Sequence, residues 1–424
     1  MNSQDIAAGA FARRDGRLFC ERVPLDVIAG RFGTPAYVYS RNAIETAFAA
    51  YTEALQGRSA LVCYAMKANS NLAVLNVLTR AGSGFDIVSG GELSRVLAAG
   101  GNPRKVVFSG VGKTEAEIDQ GLDAQILCFN VESAAELEMI ERSAARRAMR
   151  APVSIRVNPD VDAGTHPYIS TGLKSNKFGV TWDEARAVYR RAKASRHLDV
   201  IGVDCHIGSQ ITEAAPFINA AERVLDLVQA LATDGIELQH IDFGGGLGIR
   251  YRDERPPPVR ELVSALLGCI DSRGLRDKTL LFEPGRSIVG AAGVLLSRVT
   301  LLKSGPVKNF AVIDAAMNDL ARPAMYQAWV DVQPVVARSS ATRVYDVVGP
   351  VCESGDWLAR DRALALESGD LIALMDAGAY GMSMASNYNS RGRAVEVMVD
   401  GEQAYCVRQR ETAGQLYAGE STLP

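Results

Sequence analysis

The stretch LVCYAMKANSNLAVLNVLTRAGSGFDIV (Leu61–Val88) decides the architecture. Leu61–Met66 is a short apolar run, Asn71–Arg80 carries apolar residues at helical spacing, and Gly84–Val88 is a second short run. Strand, helix and strand in roughly thirty residues make one βαβ unit. Outward from it the rhythm continues. Val106–Ser109, Gln125–Phe129, Val153–Val157, Ile201–Cys205, His240–Phe243 and Thr279–Phe282 read as strands, and Gly91–Ala99, Ser133–Ala148 and Ala214–Ala232 as helices between them. A further helix, Asn42–Leu55, precedes the first strand, and Ser133 with Glu136 and Thr114 with Glu117 have the spacing of capping boxes. Eight strands alternating with helices predict an α/β chain built on a (β/α)8 TIM barrel.

After Gly290 the rhythm breaks. Val294–Leu302, Phe310–Ile313, Arg343–Val348, Leu371–Met375 and Ala394–Val399 read as strands of a second, mostly antiparallel β-barrel domain. Arg17–Phe19 and Ala36–Tyr39 are strand-like and can join it. The expected division is therefore a barrel over residues 40–290 and a β domain from residues 1–39 and 291–424. The polar tail after Arg410 is expected to be loosely held.

Composition excludes several classes. A hydrophobic content of 47% supports a real core, and a net charge of −3 provides no field for nucleic acid or an anionic membrane. No run is long and apolar enough for a membrane span, and the N-terminus lacks the pattern of a signal peptide. Seven scattered cysteines without a C-x-x-C pair suit the reducing cytoplasm and argue against a disulfide framework or a cysteine-rich zinc site; no metal site is expected.

In such a barrel the chemistry collects at the C-terminal strand ends. Lys67 ends strand one, Asp86 and Ser89 strand two, Arg156 and Asn158 strand five, His206 strand six, Gly244, Gly245 and Gly246 strand seven, and Glu283 strand eight. A partly desolvated lysine gains nucleophilicity toward a carbonyl, although a lysine at a strand end is ordinarily a solvent-facing terminator. Three glycines without Cβ atoms let backbone N–H groups approach an anion, and with Glu283-Pro284-Gly285-Arg286 they occupy the two loops that commonly hold phosphate. A lone carboxylate such as Glu283 can hold a pyridine nitrogen protonated, or form a structural ion pair. His206 can lie flat on a cofactor ring, with Ser209 as a nearby hydroxyl. Beyond the barrel, Cys352-Glu353-Ser354-Gly355-Asp356 sets a thiol beside two carboxylates, and Asp376–Ser383 forms a glycine-lined turn around Tyr380.

In chain order these features resemble the diaminopimelate decarboxylases, a family of pyridoxal-phosphate (PLP) enzymes with a barrel and a β domain. The resemblance runs from about Thr34 to Arg393. It rests on Tyr64–Asn69 (YAMKAN), Thr171–Gly179 (TGLKSNKFG), Met317–Tyr326 (MNDLARPAMY) and Ala379–Asn389 (AYGMSMASNYN). It implies decarboxylation of meso-2,6-diaminopimelate to L-lysine, in lysine biosynthesis. Lys67 would carry PLP covalently, His206 stack on its ring and Glu283 meet its nitrogen, with Asp86 also beside the cofactor. Gly244–Gly246, Ser209, Gly285, Arg286 and Tyr380 would surround its phosphate. Cys352 would return the proton after CO2 leaves, contributed by the partner subunit of a homodimer.

The substrate's far end bears a carboxylate and an ammonium, and both need partners out of water. Arg286 and Arg322 offer bidentate guanidinium groups, Tyr326 and Tyr380 hydroxyls, and Glu353 an anion for the ammonium. A decarboxylase of ornithine or lysine has no use for Arg322. That activity, an amino acid racemase and a non-catalytic PLP-binding regulator remain the competing readings. Glu283 disfavours the racemase, and Arg322, Cys352 and Glu353 together disfavour the regulator.

Overall fold

The computed structural model describes residues 10–162, 171 and 176–424. Residues 172–175 of the Thr171–Gly179 motif lie outside the described residues. The chain divides into two compact units. One comprises residues up to Ala47 with Arg250–Glu254 and Ile288–Pro424, and the other comprises Phe48–Ile249 and Arg255–Ser287.

The second unit is the barrel. Its strands are β1 (Ala60–Ala65), β2 (Gly84–Ile87), β3 (Val106–Phe108), β4 (Cys128–Val131), β5 (Ala151–Asn158), β6 (Leu198–Asp204), β7 (His240–Asp242) and β8 (Thr279–Phe282). Every neighbouring pair is parallel, and β8 closes on β1 with Leu280 opposite Ala60 and Phe282 opposite Val62. Cys63, Val107, Cys128, Ile201 and Leu281, from five different strands, meet in a buried cluster. Each aliphatic side chain so withdrawn from water contributes about 1.5–3 kcal/mol. Cys63 and Cys128 act there as small hydrophobes, and all seven cysteines are free thiols.

Local signals set the element ends. Asn71 caps Leu72–Arg80, Ser89 caps Gly90–Ala98 and Thr114 closes a full capping box with Glu117. The box expected at Ser133 is only half formed. Ser133 accepts from the Glu136 N–H, but the Glu136 carboxylate binds Lys113 at 2.8 Å instead of reaching back to its own cap. The fourth strand also departs from expectation. Gln125 ends the preceding helix with φ 55°, so pairing begins at Cys128 and continues to Val131.

In the first unit, Gly293–Lys303 is the hub of a mostly antiparallel sheet. It pairs antiparallel with Ala36–Ser40, Asn309–Ile313 and Leu371–Leu374. Parallel pairs are Ala36–Ser40 with Val395–Asp400 and Asn309–Ile313 with Arg343–Val348. Trp357–Leu364 and Gln403–Arg408 are strands that the apolar pattern hid, since Arg360, Asp361 and Arg362 interrupt one and polar residues bound the other. The segment after Arg410 begins firmly held. Against the opposing effect of burial, the Arg393 N–H, Asn387 and the Arg393 guanidinium hold the Glu411 carboxyl down to about 2.

Candidate active site

Strand β1 stops at Ala65, and Met66–Ala68 turns as a single 3-10 helix, so Lys67 leaves the strand's alternation. Its Nζ donates to Asp86 Oδ2 at 2.5 Å; the Lys67 side chain is 34% exposed while that of Asp86 is fully buried. The amine is thus tethered by a carboxylate at the mouth rather than simply desolvated. The other Asp86 oxygen, Oδ1, is buried without a hydrogen-bond partner among the described residues.

Beneath it lies an acid cluster. Carboxylate oxygens of Asp204, Asp242 and Glu283, at the ends of β6, β7 and β8, all lie within 4.8 Å of one another. Burial and the neighbouring carboxylates push all three carboxyls up, Asp204 to about 7 and the other two well above their ordinary range. Asp242 Oδ2 is buried without a hydrogen-bond partner among the described residues. Ser109 and Asn130 donate to Glu283 Oε1 at 3.4 and 3.3 Å. Arg156 is the balancing cation. Burial opposes its charge, but Glu132, Asp204 and Glu283 hold its pKa above the usual arginine value. Its Nη1 lies 2.8 Å from Glu132 Oε1, and its Nε lies 3.8 Å from Asp204.

His206 is neutral. Burial, then Arg156 and Lys67, push its pKa well down. Its Nδ1 accepts the Gly245 N–H at 3.1 Å, which leaves the proton on Nε2 and fixes the ring plane. The Gly244 N–H is also engaged, donating to Asp242 Oδ1 at 2.8 Å. Two of the three glycine amides expected to face an anion are therefore used within the protein. What the glycines provide is close approach. Gly244 has φ 65°, and a Cβ on Gly245 would stand 2.0 Å from the Glu283 carbonyl oxygen. We expect Gly245→Ala to cost at least about 3 kcal/mol, by driving β7 and β8 apart. A fall in thermal midpoint checks this, and an unchanged midpoint would show that the loop adapts.

Arg286, 6% exposed, donates to Ser209 Oγ at 3.1 Å, so these two predicted phosphate-side residues already meet. Gly285 lies against Ala65 and Ala68, where a Cβ would come within 3.0 Å of the Ala65 carbonyl oxygen. Asn158 caps its strand by accepting the Asp160 N–H at 2.9 Å.

The first unit carries the remaining candidates. Arg322 and Tyr326 begin and end one five-residue helix, so the two side chains share a face. Tyr380 sits at φ 55° in the turn after Leu371–Leu374. Cys352 and Glu353 are exposed, and the Tyr388 hydroxyl donates to Glu353 Oε1 at 3.0 Å. Asp356 corrects the expectation of two carboxylates beside the thiol. It turns inward and accepts the Met317 and Val351 N–H groups at 2.6 and 2.7 Å, which braces the loop from within.

A lysine, a neutral imidazole and a buried acid stand together at the mouths of the strands of one parallel barrel. Residues 41–290 match the family model described as the pyridoxal binding domain of pyridoxal-dependent decarboxylases, which sets the class. The diaminopimelate decarboxylase of Pseudomonas aeruginosa is 62% identical over 98% of this chain and 99% of its own length, and that of Vibrio cholerae 56% over 97% and 98%. The crystal structure of the M. jannaschii diaminopimelate decarboxylase in co-complex with L-lysine has TM-score 0.95 at 39% identity, covering 100% of this chain and 99% of that one. The chain belongs to the diaminopimelate decarboxylase family.

Pyridoxal 5'-phosphate fits the barrel. A tethered amine offers a nitrogen for the cofactor's carbonyl, and the buried carboxyl oxygens of Asp86 and Glu283 offer acceptors for a protonated aromatic ring. Among the described residues no helix is long and apolar enough to cross a membrane.

Proposed function

We propose that this protein decarboxylates meso-2,6-diaminopimelate to L-lysine and CO2. The observation that carries this reading is the extent of the likeness. The pyridoxal domain accounts for residues 41–290, yet the two relatives match over 97–98% of the chain, well beyond that domain and across the region bearing Arg322, Tyr326, Cys352 and Glu353. L-lysine is named in the M. jannaschii complex, and it would be the product here.

Lys67 would hold the cofactor through its Nζ. Glu283 would pair with the cofactor's ring nitrogen, with Asp86 beside it, and His206 would lie against the ring. Gly244–Gly246, Ser209, Gly285, Arg286 and Tyr380 enclose the phosphate end. Bound pyridoxal phosphate supplies the electron sink for the pair left when the Cα–carboxylate bond breaks. Cys352 Sγ–H then delivers a proton to Cα. Arg322 and Arg286 take the distal carboxylate with Tyr326 and Tyr380, and Glu353 takes the distal ammonium. The pyridoxal domain is assigned to residues 40–290, and the β domain to residues 1–39 and 291–424. The working form is a cytoplasmic homodimer in which each site receives Cys352 of the partner subunit.

The test is CO2 release from the PLP-loaded protein with meso-diaminopimelate, lysine, ornithine and arginine offered in parallel. Release from meso-diaminopimelate alone, with lysine formed, is expected. Release from ornithine or lysine would overturn the roles of Arg322 and Glu353.

A further inference from the structure

Arg250–Glu254 follows the glycine loop in sequence yet belongs to the first unit. Glu254 folds this segment on itself, accepting the Tyr251 and Arg252 N–H groups at 3.0 and 2.7 Å. Two cation–aromatic contacts then fix it. Arg252 lies over the Trp329 ring at 4.4 Å, and Arg322 lies over the Tyr251 ring at 4.3 Å. Both members of the second contact are buried, Tyr251 at 8% and Arg322 at 6% exposure. Neither motif reading nor the cofactor chemistry uses Tyr251.

Arg322 opens a helix of only five residues, too short to set a long side chain by itself. A ring over the guanidinium face leaves the N–H edge in plane, which is the edge a carboxylate meets bidentately. It also removes rotamer freedom before the ligand arrives, so less is lost on binding. Lysine in place of Arg322 would keep the charge and lose the plane.

We propose that Tyr251 is a positioning residue for substrate selection, holding Arg322 edge-on so that a substrate with a distal carboxylate is preferred to one without. This rests on Arg322 being the carboxylate clamp. The same contact explains why a segment from the barrel's glycine loop is tied into the first unit by aromatic and arginine side chains.

The experiment uses the PLP-loaded full chain with Tyr251→Phe and a series of increasingly fluorinated phenylalanines at position 251, which weaken the ring's attraction for a cation at nearly constant shape. Tyr251→Phe keeps the aromatic face and should hold KM for meso-diaminopimelate within about twofold. Progressive fluorination should raise KM up to about tenfold, with kcat and the cofactor's absorbance little changed. In an Arg322→Met background, itself raised in KM, the series should be flat. A flat series with Arg322 intact overturns the positioning role while leaving the clamp standing, provided Arg322→Met still raises KM. An unchanged KM in Arg322→Met overturns the clamp and the proposal with it. An equal slope in both backgrounds also overturns the proposal, since Tyr251 would then act without Arg322.

Discussion

Lys67→Ala is expected to lower CO2 release from meso-diaminopimelate by at least about 10³-fold and to erase the visible absorbance of the lysine-linked cofactor. Lys67 lies where β1 gives way to a single turn, with its amine on Asp86 and the acid cluster of Asp204, Asp242 and Glu283 below. Another lysine cannot substitute by proximity alone: Lys113 is committed to Glu136 and to the carbonyls of Gly110 and Asn130. The variant leaves Asp86 buried without its cation, a loss that costs about 3–5 kcal/mol if nothing relaxes. Activity should therefore be read beside a thermal melt. An intact turnover rate in folded Lys67→Ala would sink the assignment.

Cys352→Ala should retain bound cofactor and lose about 10²- to 10⁴-fold in turnover, the usual worth of a placed proton donor. The thiol is exposed on a loop braced by Asp356 and by Asn389, whose side chain accepts the Cys352 N–H at 2.8 Å. Unchanged turnover would move the search for the donor to Lys67.

The barrel was legible because its strands are short apolar runs ended by polar residues, a pattern that local chemistry imposes. Lys67, Asp86, His206, Gly244–Gly246 and Glu283 stood out as polar groups after apolar runs, and the structure gathers them at one end of the strands. Glu132 and Asn130 did not stand out. Placing the fourth strand at Gln125–Phe129 put its end before both residues, whereas pairing continues to Val131. Glu132 takes Arg156 and the Gly110 and Gly179 N–H groups, so it organises the mouth as much as any predicted residue. Asp204 and Asp242 were hidden for another reason. They lie inside strand runs, and only closure of the barrel brings their carboxyls to Glu283. Tyr251 was invisible because its partner is 71 positions away in sequence, from 251 to 322.

The strand Ala36–Ser40, buried at every residue, sits in its sheet between Gly293–Leu296 and Val395–Val399. From Ser40 to Gly293 is 293 − 40 = 253 positions. At a translation rate of about 5–20 residues per second, the strand leaves the ribosome on the order of ten to fifty seconds before its first neighbour is made. The barrel, almost continuous in that interval, can finish while a strand destined for full burial waits unpaired. Synthesis therefore places the aggregation hazard of this chain at its beginning, and a chaperone that shields nascent chains has its natural target there.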